Sequence, residues 1–257
     1  MKNISSKDAA SRLIFALDAP GYEEALSWVE TLSGRVGMFK VGKELFTAAG
    51  PQIIRSIKER SQKVFLDLKF HDIPNTVARA AAAAVHLDAD MFNIHASGGS
   101  RMIKEAVAAA WNLADRQGKT RPIVLAVTVL TSLNNDDLKE VGFGQSTNEL
   151  VVHLAGLARS AGASGVVASP RDIDALRNKF GSNFVIVTPG IRASGEAKKD
   201  DQKRTLSAYE AVKAGADYIV VGRPIREAAN PLEACRQIVQ EIAEGLTARS
   251  FTSSKRK

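Results

Sequence analysis

The chain has 257 residues, of which 45% are hydrophobic and 25% charged, and this composition is ordinary for a soluble globular protein. Its net charge of +7 comes without an aromatic-rich basic stripe, which argues against nucleic-acid binding, and no apolar run approaches the ~18–20 residues of a membrane helix. We therefore expect neither a nucleic-acid nor a membrane partner. A single cysteine excludes an internal disulfide, which predicts a cytoplasmic protein.

Eight short runs rich in Val, Ile and Phe alternate with helix-like segments along the chain. The predicted strands are 12–18, 36–42, 63–69, 90–96, 122–129, 165–169, 184–190 and 218–222. Because these runs are almost continuously apolar, both faces of each strand are expected to be covered, as in a parallel sheet. Eight strand–helix units of roughly 25–30 residues each predict an α/β fold, a single-domain (β/α)8 TIM barrel.

The barrel is assigned to residues 12–246. An N-terminal extension, 1–11, precedes it, and a basic tail, 247–257, follows it and is expected to be disordered. The alternative fold is an open doubly wound sheet. That fold normally carries a glycine-rich phosphate turn after its first strand, where this chain has the sequence ALDAPG, so the closed barrel is preferred.

Polar or glycine residues stand where the predicted strands end, and a barrel forms its active site at that end. They are Asp18, Lys40, Asp67, Lys69, Asp72, His95, Thr128, Thr131, Ser169, Arg192, Gly222 and Arg223. We expect no comparable convergence of paired charges at the opposite ends of the strands. The loops TPGIR and VGRP, after the last two strands, combine glycine backbone N–H groups with guanidinium groups, which predicts a phosphate pocket.

The stretch FLDLKFHDIPNT carries the most informative charges. Asp67 and Lys69 are two residues apart, so both side chains leave the strand on one face, towards the barrel interior or its mouth. Buried charges are costly unless paired, and a structural role explains them poorly, so we interpret them as functional. Taken alone, Asp18 is more typical of a helix cap, Lys40 is equally explained by a snorkelling side chain, and His95 is assigned a structural role.

Seven segments occur together in the order and spacing of a known family. They are ALD, KVG, FLDLKFHDIPNTV, NIHASGG, VLTSL, VTPGIR and VGRPI. Over roughly residues 12–245 the chain therefore resembles orotidine 5′-phosphate decarboxylase. The resemblance implies a homodimeric barrel that converts orotidine 5′-monophosphate to UMP and CO2 in pyrimidine biosynthesis, without a metal or an organic cofactor.

The resemblance also implies roles for individual residues. The implied catalytic residues are an alternating array of charges: Lys40, Asp67, Lys69 and Asp72. The implied substrate-binding residues are Asp18, Lys40, Asp67, Ile73, Thr76, Thr131, Arg192, Gln202, Gly222 and Arg223.

Within this set, Lys69 is implied to be the proton donor, and two flanking carboxylates favour its ammonium form. Asp72 is implied to reach the partner subunit's site, with Ile73 and Thr76 in the same crossing segment. The lid IRASGEAKKDDQKR varies in length within the family, so the assignment of Gln202 stays open to a neighbouring residue.

Two other functions remain open at the level of the sequence. A magnesium-dependent sugar-phosphate decarboxylase or aldolase of the same barrel suprafamily would use the second Asp of the motif and a nearby Glu around the metal, and Glu44 is available. A non-catalytic barrel that binds a phosphate ligand is the second alternative. The complete charge array argues against it, since idle buried charges would only destabilise the fold.

Overall fold

The computed structural model describes residues 4–191 and 206–254, with side chains described up to residue 250. Eight parallel strands close into a barrel in sequence order, which confirms the predicted fold and rules out the open sheet. The strands are Leu13–Leu17 (β1), Met38–Gly42 (β2), Val64–Phe70 (β3), Met91–His95 (β4), Ile123–Val127 (β5), Gly165–Val167 (β6), Val185–Thr188 (β7) and Tyr218–Val221 (β8).

Helices cover the outside of the barrel, and two short 3-10 turns, Ala96–Gly98 and Pro170–Asp172, supplement them. The helices are Ser6–Ala10 (α1), Tyr22–Leu32 (α2), Lys43–Ala49 (α3), Gln52–Glu59 (α4), Pro74–His86 (α5), Gly99–Arg116 (α6), Asn135–Glu140 (α7), Thr147–Ser160 (α8), Ile173–Phe180 (α9), Ala208–Ala214 (α10), Arg223–Arg226 (α11) and Pro231–Ser254 (α12). Across the described ranges, none of these helices is both long and apolar enough to cross a bilayer.

Local chemistry explains where several helices begin. Ser146 and Ser207 each form a capping box, in which the serine side chain accepts from a backbone N–H of the first turn and a glutamate returns the bond. Pro74 and Pro231 occupy the first turns of α5 and α12, where no intrahelical N–H bond is lost.

Side chains alternate between two apolar layers along each strand. The inner layer fills the barrel and consists of Ile14, Ala16, Met38, Phe65, Met91, Leu125, Val187 and Val220. The outer layer lies between strands and helices and contains, for example, Leu66 and Phe92. Above this layer, polar side chains take inward-facing positions, as at Asp67 on β3. Apolar side chains therefore fill the barrel towards the N-terminal ends of the strands, and a polar cavity opens at their C-terminal ends.

The predicted disordered tail is wrong for residues 247–254, because α12 continues without a break to Ser254. Gly245 allows the helix to lie close to α10, since a Cβ there would come within 2.8 Å of the Tyr209 carbonyl oxygen. Beyond it, a guanidinium nitrogen of Arg249 lies 3.6 Å from the Asp217 carboxylate. The N-terminal extension also contains an ordered element, since α1 buries Ala9.

The expectation that paired charges are lacking at the N-terminal ends of the strands is wrong as well. Asp90, directly before β4, accepts a hydrogen bond from the first backbone N–H of β3 at 2.8 Å and from the Lys58 ammonium at 2.6 Å. Asp217, directly before β8, accepts from a backbone N–H of β7 at 2.9 Å and pairs with Arg177. The cations come from α4 and α9, which lie far away in sequence, so local pattern does not show the pairs.

Candidate active site

A cavity of about 840 Å³ opens at the C-terminal end of the barrel. Its wall is formed by the ends of β1, β2 and β3 on one side and by the loops after β5, β7 and β8 on the other. The polar or charged side chains that line it are Asp18, Lys40, Asp67, Lys69, Thr131, Arg223 and Glu227. The rest of the wall is largely apolar, with Val127, Val167 and Ile191 among its residues, and the charged groups at the ends of β1, β2 and β3 form one sector of it.

Four charged side chains form a continuous array of alternating sign in this sector. The Lys40 nitrogen lies 3.2 Å from an Asp18 oxygen and 3.4 Å from Asp67 Oδ2. The Lys69 nitrogen lies 2.6 Å from Asp67 Oδ1. Asp67 therefore uses one oxygen for each lysine and holds the two ammonium groups side by side at the cavity wall.

Two glycines leave room for this array. A Cβ at Gly42 would stand 3.0 Å from the Lys40 nitrogen, and a Cβ at Gly222 would stand 3.2 Å from the Ala16 Cβ and 3.4 Å from an Asp18 oxygen. Glycine at the end of β2 and after β8 thus lets the backbone approach the charged groups closely.

Charge pairing outweighs burial in this array. Burial by itself raises the pKa of Asp67, but Lys40, Lys69 and the hydrogen bonds from Lys69 and Asn93 together bring it below its usual range. Burial by itself lowers the pKa of Lys40, but Asp67 and Asp18 together raise it above its usual range. Both groups therefore stay ionised around neutral pH and present fixed charges to the cavity.

Asn93 is a residue of this site that sequence reasoning missed. It lies on β4, is 1% exposed, and donates a hydrogen bond from its side-chain nitrogen to Asp67 Oδ1 at 2.7 Å. Its side-chain oxygen accepts the backbone N–H of Lys69 at 2.8 Å. The available signal was one polar residue, flanked by Met91, Phe92 and Ile94, at an inward-facing position of the strand.

Two histidine rings lie next to each other beside the array, tilted by 34°. The rings of His71 and His95 have their centroids 5.3 Å apart. Burial, followed by the neighbouring His71, Lys43 and Lys69, lowers the pKa of His95 to about 4. His95 is therefore neutral at physiological pH and adds no further positive charge next to Lys69.

The second half of the motif lies outside the cavity of its own chain. Asp72, Ile73 and Thr76 are exposed, Ile73 with 67% of its surface, and the Asp72 carboxylate accepts the backbone N–H of Ile73 at 2.6 Å. Thr131, Gly222 and Arg223 do line the cavity.

Arg192 and Gln202 lie outside the described residues. Glu44, the residue that kept the magnesium alternative open, is exposed on α3 and is absent from the cavity lining. Over residues 4–191 and 206–254, no three His, Cys, Asp or Glu side chains are grouped as a metal site would need.

The closed barrel and the charged cavity at its C-terminal mouth define a (β/α)8 barrel enzyme. A profile of the orotidine 5′-phosphate decarboxylase / HUMPS family matches residues 11–238. The chain therefore belongs to this family.

Individual relatives extend over almost the whole chain. A protein named orotidine 5′-phosphate decarboxylase from Syntrophus aciditrophicus is 54% identical over 249 residues, which cover 96% of this chain and 99% of the relative. One of the same name from Trichlorobacter lovleyi is 51% identical, covering 93% and 98%. The crystal structure of orotidine 5′-phosphate decarboxylase from Lactobacillus acidophilus is 37% identical, with a TM-score of 0.80 and coverage of 90% and 98%.

Proposed function

We propose that this protein is an orotidine 5′-phosphate decarboxylase, a carboxy-lyase that converts orotidine 5′-monophosphate to UMP and CO2 in pyrimidine biosynthesis. The observation that carries the proposal is the array Asp18–Lys40–Asp67–Lys69 in the wall of a nucleotide-sized cavity. The names of relatives at about half identity over nearly their full length support the same substrate.

The reaction needs a fixed positive charge next to C6 of the pyrimidine. When the bond between C6 and the carboxylate breaks, CO2 leaves and the electron pair remains on C6, in an orbital that the ring does not delocalise well. We assign Lys69 to this position, where its ammonium stabilises the developing charge and then transfers a proton to C6. Lys69 regains its proton from water after UMP has formed.

Asp67 is assigned a positioning role towards both lysines. Its two oxygens face one ammonium each, and Asn93 donates to it as well. Because three donors balance this carboxylate, its repulsion of the substrate carboxylate is damped. A preorganised field that is set before substrate arrives explains the geometry better than ground-state repulsion does.

The other cavity residues are assigned to the rest of the nucleotide. Asp18 and Lys40 would bind the ribose hydroxyls, and Thr131 would face the pyrimidine. Gly222 and Arg223, at the start of α11, would bind the phosphate, with Arg192 and Gln202 in the lid. Phosphate binding is remote from the breaking bond, so its free energy is available to close the lid and to lower the barrier.

We further propose a homodimer in which Asp72 completes the partner subunit's site. The proposal is supported by the exposure of Asp72, Ile73 and Thr76, and above all by the 67% exposure of the large apolar side chain of Ile73. Among the described residues, Lys69 has one carboxylate partner, Asp67, whereas the alternating array calls for a second.

A cytoplasmic location is proposed as well. The single cysteine, Cys235, is free and buried, which suits a reducing compartment. Burial raises the pKa of its thiol to about 11, so this cysteine is not a reactive nucleophile.

The test follows the absorbance of the orotate ring after purified protein is mixed with orotidine 5′-monophosphate, with and without EDTA. We expect the absorbance to fall at the same rate in both samples, with UMP as product. Activity that EDTA abolishes and Mg²⁺ restores would favour the metal-dependent alternative. Nucleotide binding without a change in absorbance would favour the non-catalytic barrel.

A further inference from the structure

The ladder between β3 and β4 is irregular at the position of Lys69. Phe65 is opposite Met91, but Phe70 is opposite Ile94, so β3 has two more residues than β4 over this stretch. Lys69 lies inside the irregular part and has a φ of +54°. A left-handed conformation costs a non-glycine residue about 1–2 kcal/mol, so surrounding contacts must hold it in place.

Asn93 supplies the acceptor that the ladder cannot provide here. The backbone N–H of Lys69 donates to the side-chain oxygen of Asn93 at 2.8 Å. An unpaired N–H in a buried wall would cost about 1–3 kcal/mol, and the side chain of Asn93 removes that penalty. The contact therefore stabilises the backbone conformation from which the Lys69 side chain departs.

The other end of the same amide binds the carboxylate that pairs with Lys69. Asn93 Nδ2 donates to Asp67 Oδ1 at 2.7 Å, and that oxygen also accepts from the Lys69 ammonium at 2.6 Å. These two bonds fix the orientation of the Asn93 amide. In the flipped orientation its oxygen would face the Asp67 carboxylate and its NH2 group would face the Lys69 N–H, and neither pair forms a hydrogen bond. One buried side chain thus connects the backbone of Lys69 with the partner of its ammonium.

We propose that Asn93 is a positioning residue for decarboxylation, which holds the Lys69 backbone and the Asp67 carboxylate in the relative placement that the proton transfer requires. The inference rests on the proposed function. Asn93 does not line the cavity, so it acts through these two residues rather than on the substrate. A small displacement of a catalytic group costs up to ~100-fold in rate, which sets the size of the expected effect.

Two variants separate the two hydrogen bonds. Asn93→Leu has a similar volume and removes both bonds. Asn93→Asp keeps an acceptor for the Lys69 N–H but places a like charge against Asp67. The matched control is Tyr22→Phe, which removes a side-chain hydrogen bond of 2.6 Å to Ser56 away from the cavity.

Steady-state kinetics provide the first readout. We expect kcat to fall about 10- to 100-fold in both Asn93 variants, while KM changes less than about threefold, because the loss is confined to the transition state. Tyr22→Phe should retain wild-type kcat. Exchange of the Lys69 amide hydrogen, followed by NMR, provides the second readout and needs no activity. It should be at least about tenfold faster in Asn93→Leu and unchanged in Asn93→Asp and Tyr22→Phe.

The outcomes distinguish this inference from the proposed function. A wild-type protein that leaves orotidine 5′-monophosphate intact refutes the function, whereas the amide exchange still tests the geometry. An active wild type with unchanged kcat in a folded Asn93→Leu protein refutes the inference alone, as does unchanged Lys69 amide exchange. Failure of both Asn93 variants to fold would also contradict it, because Asn93 would then support the barrel rather than the site.

Discussion

The two ends of the barrel both carry buried or half-buried charges, but they use them differently. At the N-terminal ends of the strands, Asp90 and Asp217 each accept a backbone N–H of a neighbouring strand in addition to a cation. At the C-terminal end, the described partners of Asp67 are side chains, those of Lys40, Lys69 and Asn93.

This difference separates structural charges from functional ones. A carboxylate that bonds a backbone N–H of a neighbouring strand holds that strand in place, so its removal should affect stability. A carboxylate that holds two ammonium groups at a cavity wall fixes the electric field of the cavity, so its surroundings should affect the rate. Both ends carry ion pairs, so ion pairing alone does not distinguish them. They differ in the other groups that the carboxylate binds, which include a backbone N–H at the N-terminal ends and are side chains at the C-terminal end.

The largest expected effect is at Lys69. Lys69→Ala removes both the positive charge next to C6 and the proton donor, so we expect turnover to fall by at least about 10⁴-fold. The fold should persist, because the Lys69 side chain lines the cavity and is 25% exposed. Decarboxylation assays and thermal unfolding check both statements, with Lys63→Ala, an exposed lysine before β3, as the control.

A folded Lys69→Ala protein that forms UMP at a rate near wild type would contradict a catalytic role for the charged array at the C-terminal end of the barrel.

The next effect concerns the exposed half of the motif. Lys69→Ala and Asp72→Ala dimers should each be inactive, but mixing them gives hybrids with one intact site. If Asp72 acts in the partner subunit's site, an equal mixture should recover about a quarter of wild-type activity, because half of the dimers are hybrids and one site of each is complete. No recovery after confirmed subunit exchange would place Asp72 outside the partner's site.

At the opposite end, Asp217→Ala should lower stability without changing the rate. It leaves Arg177 and a β7 N–H without their carboxylate, in a place where the Asp217 side chain is 16% exposed. We expect the free energy of unfolding to fall by about 2–3 kcal/mol, with kcat within about twofold of wild type. Urea denaturation measures the first quantity. A large loss of kcat at full stability would contradict the division between the two ends.

The smallest expected effect is a pH dependence from His95. Burial and the neighbouring cations lower its pKa from 6.5 to about 4, so in this range the unfolded chain binds a proton that the folded chain does not. The stability that neutral His95 contributes is complete above about pH 6.5 and is lost as the pH falls towards 4.

The free energy of unfolding of the wild type should fall between about pH 7 and pH 4.5, and His95→Asn should make this fall smaller by about 1 kcal/mol. This value already allows for screening by solvent. Urea denaturation at both pH values measures it, with the exposed His153→Asn as the control. An unchanged pH dependence in His95→Asn would show that His95 is not held in the neutral form by its surroundings.

The parts of the molecule that follow local periodicity could be predicted from the sequence. All eight strands appear as apolar runs, and the two-residue spacing of Asp67 and Lys69 correctly placed both at one cavity. Local periodicity marks Asn93 as an inward-facing polar residue but could not give its role, since its partners depend on a register shift between strands that the sequence does not display.

Long-range pairs also escaped the sequence reading. Lys58 and Asp90 are 32 residues apart, and only the closed barrel brings them together. The ordered end of α12 depends on packing against α10, which composition does not reveal.

The most direct test of the central claim is a crystal structure of the protein with UMP bound. We expect C6 of the pyrimidine to lie within about 3–3.5 Å of the Lys69 nitrogen, with the phosphate at Arg223. A nucleotide whose C6 lies well away from that nitrogen, in an otherwise ordered site, would contradict the assignment of Lys69 as the group that stabilises the negative charge and donates the proton.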